Sequence, residues 1–303
     1  MYKEIISQIY ELNQKLLDHE VYAGGSNYYK IVTRFPFPNS NNLFIVVSLK
    51  EQKKYLLEFA PKDTSYIELQ KFLRRALFLM VLEPEKNLIT SHDFSIDPAR
   101  SFLILDWIEG KNLYSVMKHK KLTLQEIAWV MLDLATALEH LGEFGFVHRN
   151  MSPQNVTIQK DTGVIYLSGI EYLGLTDFVQ TKLEVNDYYA SPELVRSLLF
   201  PKHNIILTPW SDIYGLGAIF YQLVTTKPPF PKNRNVKKWC LRAPIPKIKM
   251  NGLSRSEKKF CQNFVNNTMH RNFVKRWTPG KIKNHILEFL GNSDRLNDMQ
   301  RWL

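Results

Sequence analysis

The chain has 303 residues, enough for one large domain or two of ordinary size. Hydrophobic residues make up 45% of it and charged residues 23%, a balance that is typical of globular proteins and excludes a disordered chain. No apolar run reaches the ~18–20 residues that span a bilayer, so we expect no transmembrane segment. Because Glu4 interrupts the basic amino terminus, we also expect no secretory signal.

Cysteine is scarce, since the chain has only Cys240 and Cys261. Two cysteines are too few for a disulfide framework or a zinc cluster. This scarcity favours a reducing compartment, and we expect a cytoplasmic protein.

The net charge of +11 lies entirely in the last quarter of the chain. Residues 231–303 hold 17 basic and 4 acidic residues, whereas the other 230 residues hold 23 basic and 25 acidic ones. A basic field of this kind attracts anionic partners such as acidic proteins, phosphoinositide headgroups or nucleic acid, although a solvated face without a partner is an equal alternative. The candidate partner surface consists of Lys237, Lys238, Lys247, Lys249, Lys258 and Lys259.

The first part of the chain is predicted to form a sheet with one helix. Apolar side chains at steps of three and four over residues 1–19 predict an amphipathic helix, which Gly24 and Gly25 end. Strand-like runs and one helical run follow. The strands are expected at 28–35, 43–49, 55–60, 88–94 and 102–107, and the helix at 64–82.

Beyond Gly110 the pattern is mainly helical. Long apolar periodicity covers residues 124–144 and 212–224. A five-stranded sheet with one helix, followed by a helical body, predicts an α+β chain in two lobes.

The segment FVHRNMSPQNVTI, residues 146–158, resembles the catalytic loop H-R-D-x-x-x-x-N of eukaryotic-type protein kinases. Four other segments are similar to the hinge, the A-P-E end of the activation segment, the central C-lobe helix and the carboxyl-terminal Arg motif. They are SFLILDWIEGKNL (101–113), YYASPELV (188–195), SDIYGLGAIFYQLVTTKPPF (211–230) and KRWTP (275–279). Because all five follow the order and spacing of that family, the chain is identified as a degenerate member of the Ser/Thr protein kinases, a pseudokinase.

The resemblance implies a bilobal protein-kinase-like fold, with a small five-stranded N-lobe carrying one helix and a larger helical C-lobe. It divides the chain into an amino-terminal helix with its Gly-Gly break (1–27), an N-lobe with the hinge (28–109) and a C-lobe with the basic carboxyl-terminal quarter (110–303).

The residues that support this fold in the family are retained. The resemblance implies a buried ion pair between Glu193 and Arg276, and breaking such a pair typically costs several kcal/mol. Asp212 is expected to accept hydrogen bonds from the backbone of the loop at 148–150. His148 is expected in the apolar stack that joins the lobes, and Arg149 has a structural role as well.

The residues that hold the nucleotide phosphates in the family are replaced. Pro36, Pro38 and Asn41 stand at the three glycine positions of the phosphate loop, and proline supplies no N–H donor. Glu58 stands at the position of the phosphate-binding lysine, and Arg75 at that of its glutamate partner. We expect Glu58 and Arg75 to form the structural ion pair with exchanged charges, the alternative being two unrelated surface charges.

The residues of the phosphoryl-transfer chemistry are replaced as well. Asn150 stands for the catalytic Asp, and removing a general base costs roughly 10²–10⁴ in rate. Ser152 replaces the loop lysine, whereas Asn155, a magnesium ligand in the family, is retained and is expected to hydrogen-bond the loop. The metal-binding Asp of D-F-G is replaced by Gly169, or by Ser168 if the preceding turn is one residue shorter.

The adenine pocket implied by the resemblance is altered too. Leu56 stands where the roof of the pocket needs a small Ala, and below Leu43 it could occupy part of the adenine volume. Thr157 stands where the floor usually has an apolar side chain, and Leu105 is a further position of this degenerate pocket. Ile170 could fill the apolar slot of the D-F-G Phe.

These substitutions together predict a protein that is not an enzyme and that holds no metal, no cofactor and no ATP–Mg²⁺. Its function would be to bind, as a scaffold, a decoy or an allosteric partner of an active kinase or another regulated enzyme. Two alternatives stay open: a nucleotide-dependent transferase, for example of AMP, and a weak atypical Ser/Thr kinase, both using an altered nucleotide pose. The carboxylates that could serve a metal there are Glu58, Glu171 and Asp177. The oligomeric state stays undefined.

Overall fold

The computed structural model describes residues 21–23, 27–35, 42–60, 66–95, 101–176, 186–203, 205–230, 236–249, 251–295 and 298. The predicted helix at 1–19, the Gly24–Gly25 break and the phosphate-loop positions Pro36, Pro38 and Asn41 lie outside these residues. The chain divides into two compact units. The first comprises the residues up to Pro84 together with Ile89–Ile108, and the second comprises Glu85–Leu88 and the residues from Glu109 onward.

The first unit contains an antiparallel sheet with the strand order β1-β2-β3-β4-β6-β5. All five predicted strands are present in it, and one short strand that the sequence did not indicate, β1, pairs with β2 at the edge. The strands are β1 (Val21–Ala23), β2 (Tyr28–Arg34), β3 (Leu43–Ser48), β4 (Lys54–Phe59), β5 (Ser91–Ser95) and β6 (Phe102–Asp106).

The two faces of this sheet differ because side chains alternate along each strand. One face carries a buried core of aromatic and aliphatic side chains: Tyr29, Phe44, Val46, Tyr55, Leu57, Phe59, Phe102 and Ile104. Arg75 of helix α1 (Tyr66–Val81) bonds to Glu58, whose side chain points away from that core. The helix predicted at 64–82 is present as α1, which also contacts β5.

The start of β5 differs from the prediction. The strand pattern began at Leu88, but this residue forms a parallel bridge with Leu167 in the second unit. Asn87 holds the segment there, since its carbonyl accepts the N–H of Leu167 at 2.8 Å and its amide donates to the carbonyl of Ile165 at 2.8 Å. Apolar character alone could not show which sheet Leu88 joins.

The second unit is mainly helical, as predicted. Its strands form a three-stranded sheet, β10-β9-β7, and a two-stranded one, β11-β8. They are β7 (Gly110–Asn112), β8 (Phe146–Val147), β9 (Val156–Gln159), β10 (Ile165–Leu167) and β11 (Gly174–Leu175). The helices are α2 (Leu113–His119), α3 (Leu124–Glu143), α4 (Pro192–Leu199), α5 (Trp210–Thr225), α6 (Val236–Arg242), α7 (Arg255–Thr268) and α8 (Pro279–Leu290).

Helices α3 and α5 form the centre of this unit. Helix α3 begins with a capping box in which Thr123 and Glu126 satisfy each other's backbone N–H groups. Helix α5 contacts both α3 and α7, and its Phe220 stacks on Phe264 of α7 with the ring centroids 4.2 Å apart. Among the described helices, none is long and apolar enough to cross a membrane.

The contact between α5 and α7 depends on Gly217, because a Cβ at this position would lie 2.2 Å from Oγ1 of the buried Thr268. We expect Gly217→Ala to lower the free energy of unfolding by about 1–3 kcal/mol through overpacking, although alanine favours a helix. Gly142→Ala in α3 is the matched control, since its Cβ would meet Pro209 at 3.6 Å, an ordinary contact. Urea unfolding of both variants tests this, and equal effects at the two glycines would contradict it.

Candidate functional site

The loop that resembles the kinase catalytic loop is held by Asp212 in the first turn of α5. Its two carboxylate oxygens accept the backbone N–H groups of His148 at 2.7 Å and Arg149 at 2.9 Å. Burial raises the pKa of Asp212 to about 7, against the two N–H donors, which lower it. Arg149 has a φ of 67°, an uncommon backbone angle for a residue with a side chain. The expected anchoring of the loop by Asp212 is therefore present.

The imidazole of His148 connects this loop to the end of β10. Nε2 lies 2.8 Å from the carbonyl of Ser168 and must donate to it, so Nδ1 accepts the N–H of Asn150 at 3.2 Å. His148 is fully buried, and burial lowers the pKa of its ring to about 4. A second ring proton would also face the N–H of Asn150, so this geometry favours the neutral ring as well. Its expected part in an apolar stack stays a prediction.

Asn150, at the position of the catalytic base, acts as a hydrogen-bond donor. Its Nδ2 donates to Oε1 of Glu171 at 2.6 Å, and its backbone carbonyl accepts Nδ2 of Asn155 at 2.8 Å. Asn155 therefore has the expected role within the loop. Ser152 is buried, and its carbonyl accepts the N–H of Asn155 at 3.0 Å, so no cation stands at the position of the loop lysine. The sequence analysis missed the bond between Asn150 and Glu171.

The geometry favours Gly169 over Ser168 as the position of the metal-binding Asp. A Cβ on Gly169 would lie 2.3 Å from Cγ of Asn155, so a side chain at this position would project toward the retained magnesium-ligand position. Ser168 instead directs its N–H and its hydroxyl to the carbonyl of Asn155, at 2.8 and 3.1 Å. Ile170, which follows Gly169, is buried, as expected for the apolar residue of the motif.

The residues of this loop do not fit the magnesium ion of the family. In the part of the chain that the structure describes, no group of three His, Cys, Asp or Glu side chains could hold a metal. Gly169 supplies no ligand, Asn155 donates to the backbone of Asn150, and Glu171 accepts from the Asn150 amide. Asp177 lies outside the described residues.

The expected ion pair with exchanged charges is present in the first unit. Nη2 of Arg75 lies 2.7 Å from Oε1 of Glu58, and their side chains are 8% and 16% exposed. Two unrelated surface charges would be more exposed and would not meet. The pair places a carboxylate on β4 at the position where the family presents a lysine to the phosphates, and a carboxylate repels a triphosphate.

Bulky aliphatic side chains surround Glu58 on the same face of the sheet. The pairing register sets Leu43 opposite Glu58 and Leu56 opposite Leu105. Leu43, Leu56 and Glu58 are half-buried, and Leu105 is buried. In the second unit, Thr157 lies on β9 and is half-buried. These residues keep their strand positions, but their side chains differ from those of an adenine pocket.

The buried ion pair between Glu193 and Arg276 is bidentate. Nη1 lies 2.5 Å from Oε1 and Nη2 lies 2.9 Å from Oε2. Arg276 also donates to the carbonyls of Trp210 at 2.6 Å and His270 at 2.7 Å. A single guanidinium thus connects the first turn of α4, the first residue of α5 and the turn after α7.

Two of the six candidate lysines, Lys237 and Lys238, belong to α6. Lys237 on α6 pairs with Asp187 at 3.6 Å, and the side chain of Lys238 lies outside the described residues. The other four are exposed and lie on α7 or on the segment before it: Lys247, Lys249, Lys258 and Lys259.

Comparison with known proteins identifies the family. The model of the protein kinase domain matches residues 39–287, most of the chain, and the chain belongs to this family. Serine/threonine-protein kinase ATG1a of Arabidopsis thaliana is 25% identical over 85% of this chain and 41% of its own length. The mitogen-activated protein kinase HOG1 of Kluyveromyces lactis is 24% identical over 59% of this chain and 39% of its own length. Serine/threonine-protein kinase AtPK2/AtPK19 of A. thaliana is 27% identical over 56% of this chain and 38% of its own length. The chain spans about two fifths of the length of these relatives.

These matches correct one prediction. The sequence analysis expected a protein that is not an enzyme, because the positions that carry the chemistry are replaced. The family is one of enzymes, however, and all three relatives are named as kinases. The chain is therefore assigned to a family of protein kinases, and two of the three relatives are named serine/threonine-protein kinases.

The pair of Glu58 and Arg75 predicts a specific double-mutant result. Glu58→Lys should destabilise the protein, because two cations then meet at a largely buried position, and adding Arg75→Glu should restore stability by forming the opposite pair. Thermal melting of the two single variants and the double variant measures the coupling. Additive losses in the double variant would show that the two side chains do not interact.

His148 predicts a loss of stability in acid. Its folded pKa of about 4 lies below the usual histidine value of 6.5, so its contribution is fully present above pH 6.5 and is lost as the pH falls through 4. The expected loss between pH 7 and pH 4 is about 3 kcal/mol. Asp212, whose pKa is raised, acts in the opposite direction, because its contribution is present below the unfolded pKa and lost as the pH rises through about 7.

Urea unfolding at both pH values isolates the contribution of His148 when wild type is compared with His148→Phe. The variant is expected to be less stable at pH 7, but to lose about 3 kcal/mol less than wild type on acidification. An identical pH dependence in the two proteins would contradict a buried neutral imidazole.

Proposed function

We propose that the chain is a pseudokinase, a member of the protein kinase family with replaced catalytic residues, and that it works chiefly by binding a protein partner. The observation that carries the proposal is the hydrogen bond from Asn150 to Glu171 at 2.6 Å. The position of the general base holds an amide that donates, and an amide does not accept the proton of a substrate hydroxyl. Any phosphoryl transfer then lacks this base and is slower by roughly 10²–10⁴.

The contrast between framework and chemistry supports this role. The contacts that hold the loop and α4 are complete, since Asp212 accepts two backbone N–H groups and Glu193 pairs with Arg276. The groups that would act on phosphate are replaced, with Asn150 at the base and Gly169 at the metal position. A well-defined framework without these groups suits a protein that presents surfaces to a partner.

The electrostatics of the first unit support the same proposal. Glu58 and Arg75 neutralise each other within the unit, so the pair supplies no cation for the phosphates of a nucleotide. We therefore propose that ATP–Mg²⁺ is not bound in the manner of the family. The partner would be an active kinase or another regulated enzyme. A cytoplasmic location is part of the proposal, because both cysteines are buried free thiols whose pKa burial raises to about 12.

Two measurements test the proposal. Thermal shift with ATP or ADP, with and without Mg²⁺ or Mn²⁺, is expected to show no stabilisation, whereas a ligand at 100 times its Kd would add ~2.7 kcal/mol. Transfer of labelled γ-phosphate to a generic substrate protein is expected to be roughly 10²–10⁴-fold slower than is typical of protein kinases, because the general base is replaced. Magnesium-dependent stabilisation, or transfer at a rate typical of protein kinases that Asn150→Ala abolishes, would refute the proposal.

Partner binding is tested by activity. The enzymatic activity of each protein that co-purifies with the full chain is measured with and without a stoichiometric amount of the chain. The rate of the partner enzyme is expected to change when the chain is added. Asn150→Ala is the matched variant. It should leave the effect on the partner enzyme intact, because regulation by binding does not use the side chain of Asn150. Loss of the effect in this variant would instead point to chemistry at Asn150.

A further inference from the structure

The solvent face of α7 is strongly basic. The helix buries Phe260, Cys261, Phe264 and Val265 on one side. Its opposite side exposes Arg255, Lys258 and Lys259 at helical spacing. The acidic residue in its first turn, Glu257, is used by the capping box, where its carboxylate accepts the N–H of Ser254 at 2.7 Å.

An extended segment before α7 adds two lysines to this face. The N–H of Ile248 donates to Oε1 of Gln262 on α7 at 2.8 Å, which holds the segment against the helix. Lys247 and Lys249 flank Ile248 and are exposed. Residue Gln262 lies four residues after Lys258 and three after Lys259, so these groups are neighbours on the helix surface.

We call this set the lysine ridge: Lys247, Lys249, Arg255, Lys258 and Lys259. Within the described residues, none of the five forms an ion pair with a carboxylate. Positive charge is therefore concentrated on the amino-terminal part of α7 and on the segment bonded to it.

An exposed apolar pair follows at the end of α7. Phe273 and Val274 are 38% and 70% exposed and lie between the exposed cations Arg271 and Lys275. We call Phe273 and Val274 the apolar tip. The guanidinium of Arg271 bonds to the carbonyl of Ala243, which ties this turn to the segment that carries Lys247 and Lys249.

The turn that carries the apolar tip is firmly held. Oδ1 of Asn272 accepts the N–H of Val274 at 3.1 Å. Nε of the buried Arg276 donates to the carbonyl of His270 at 2.7 Å, on the other side of the tip. The exposure of Phe273 and Val274 is thus built into the fold.

We propose that the lysine ridge and the apolar tip together bind the surface of an anionic phospholipid bilayer. Four of the five ridge residues are lysines, which act as hydrated point charges and suit a diffuse layer of headgroups better than the bidentate recognition of one phosphate or carboxylate by arginine. Exposed apolar side chains beside cations insert at the boundary between headgroups and acyl chains. Single-stranded nucleic acid would need several exposed rings for base stacking, and the described residues of this surface offer Phe273 alone.

The proposal is independent of the proposed function, because it uses none of the residues on which that function rests and can hold whether or not a protein partner binds. The full chain is floated with vesicles of phosphatidylcholine alone and of phosphatidylcholine with phosphatidylserine. Binding is expected only with phosphatidylserine and should weaken as salt increases. Lys258→Gln combined with Lys259→Gln should reduce the partition coefficient about 25-fold, since each basic residue near an anionic surface contributes about 5-fold.

The matched control is Lys50→Gln combined with Lys54→Gln, which removes the same charge from exposed positions of the first unit. It should leave vesicle binding unchanged, and all variants should keep the wild-type melting temperature. Phe273→Ser combined with Val274→Ser should weaken binding at high salt as well as at low salt, because the lost contact is apolar.

Three results would overturn the proposal. They are equal binding to both kinds of vesicle, an equal loss in the control pair, and the absence of vesicle binding. RNA or an acidic peptide that binds through Lys258 and Lys259, where vesicles do not, would identify a different partner for the ridge.

Discussion

The carboxylate of Asp212 holds the loop on which the rest of the site depends. With both oxygens bonded to consecutive backbone N–H groups, it fixes Arg149 at a positive φ and aims the His148 ring at Ser168. From that placement follow the contacts of Asn150 with Glu171 and with Asn155. The loop therefore keeps a defined shape although its chemical groups have changed, because its shape comes from backbone hydrogen bonds and not from the side chains at the replaced positions.

Two pairs of interacting residues differ together from the charge pattern of the protein kinase family. Glu58 faces Arg75, so the exchange of two charges preserves one ion pair. Asn150 faces Glu171, so the loss of one carboxylate accompanies the gain of another nearby. In each pair the local structure is satisfied although the charges differ from the pattern of the family. This explains how a chain of the protein kinase family can fold normally around a site with unusual chemistry.

Much of the fold follows from the sequence, because alternation and helical spacing indicate strands and helices, and opposite charges at matched family positions indicate the pairs Glu58–Arg75 and Glu193–Arg276. Other features need the three-dimensional structure. The bond between Asn150 and Glu171 joins residues 21 positions apart across a turn whose length the sequence left open. The strand β1 has three residues, too few for a pattern. The expectation that the protein is not an enzyme was wrong, because it rested on single replaced residues, whereas family membership rests on the whole chain.

Arg276 makes the turn after α7 and the end of the activation segment parts of one mechanical connection. Its Nε bonds to the carbonyl of His270, and its two terminal nitrogens bond to Glu193, so a planar, rigid group links the two sites. A displacement of that turn would be transmitted to α4 through these hydrogen bonds. Binding at the turn after α7 would thus be coupled through one side chain, Arg276, to the position of α4.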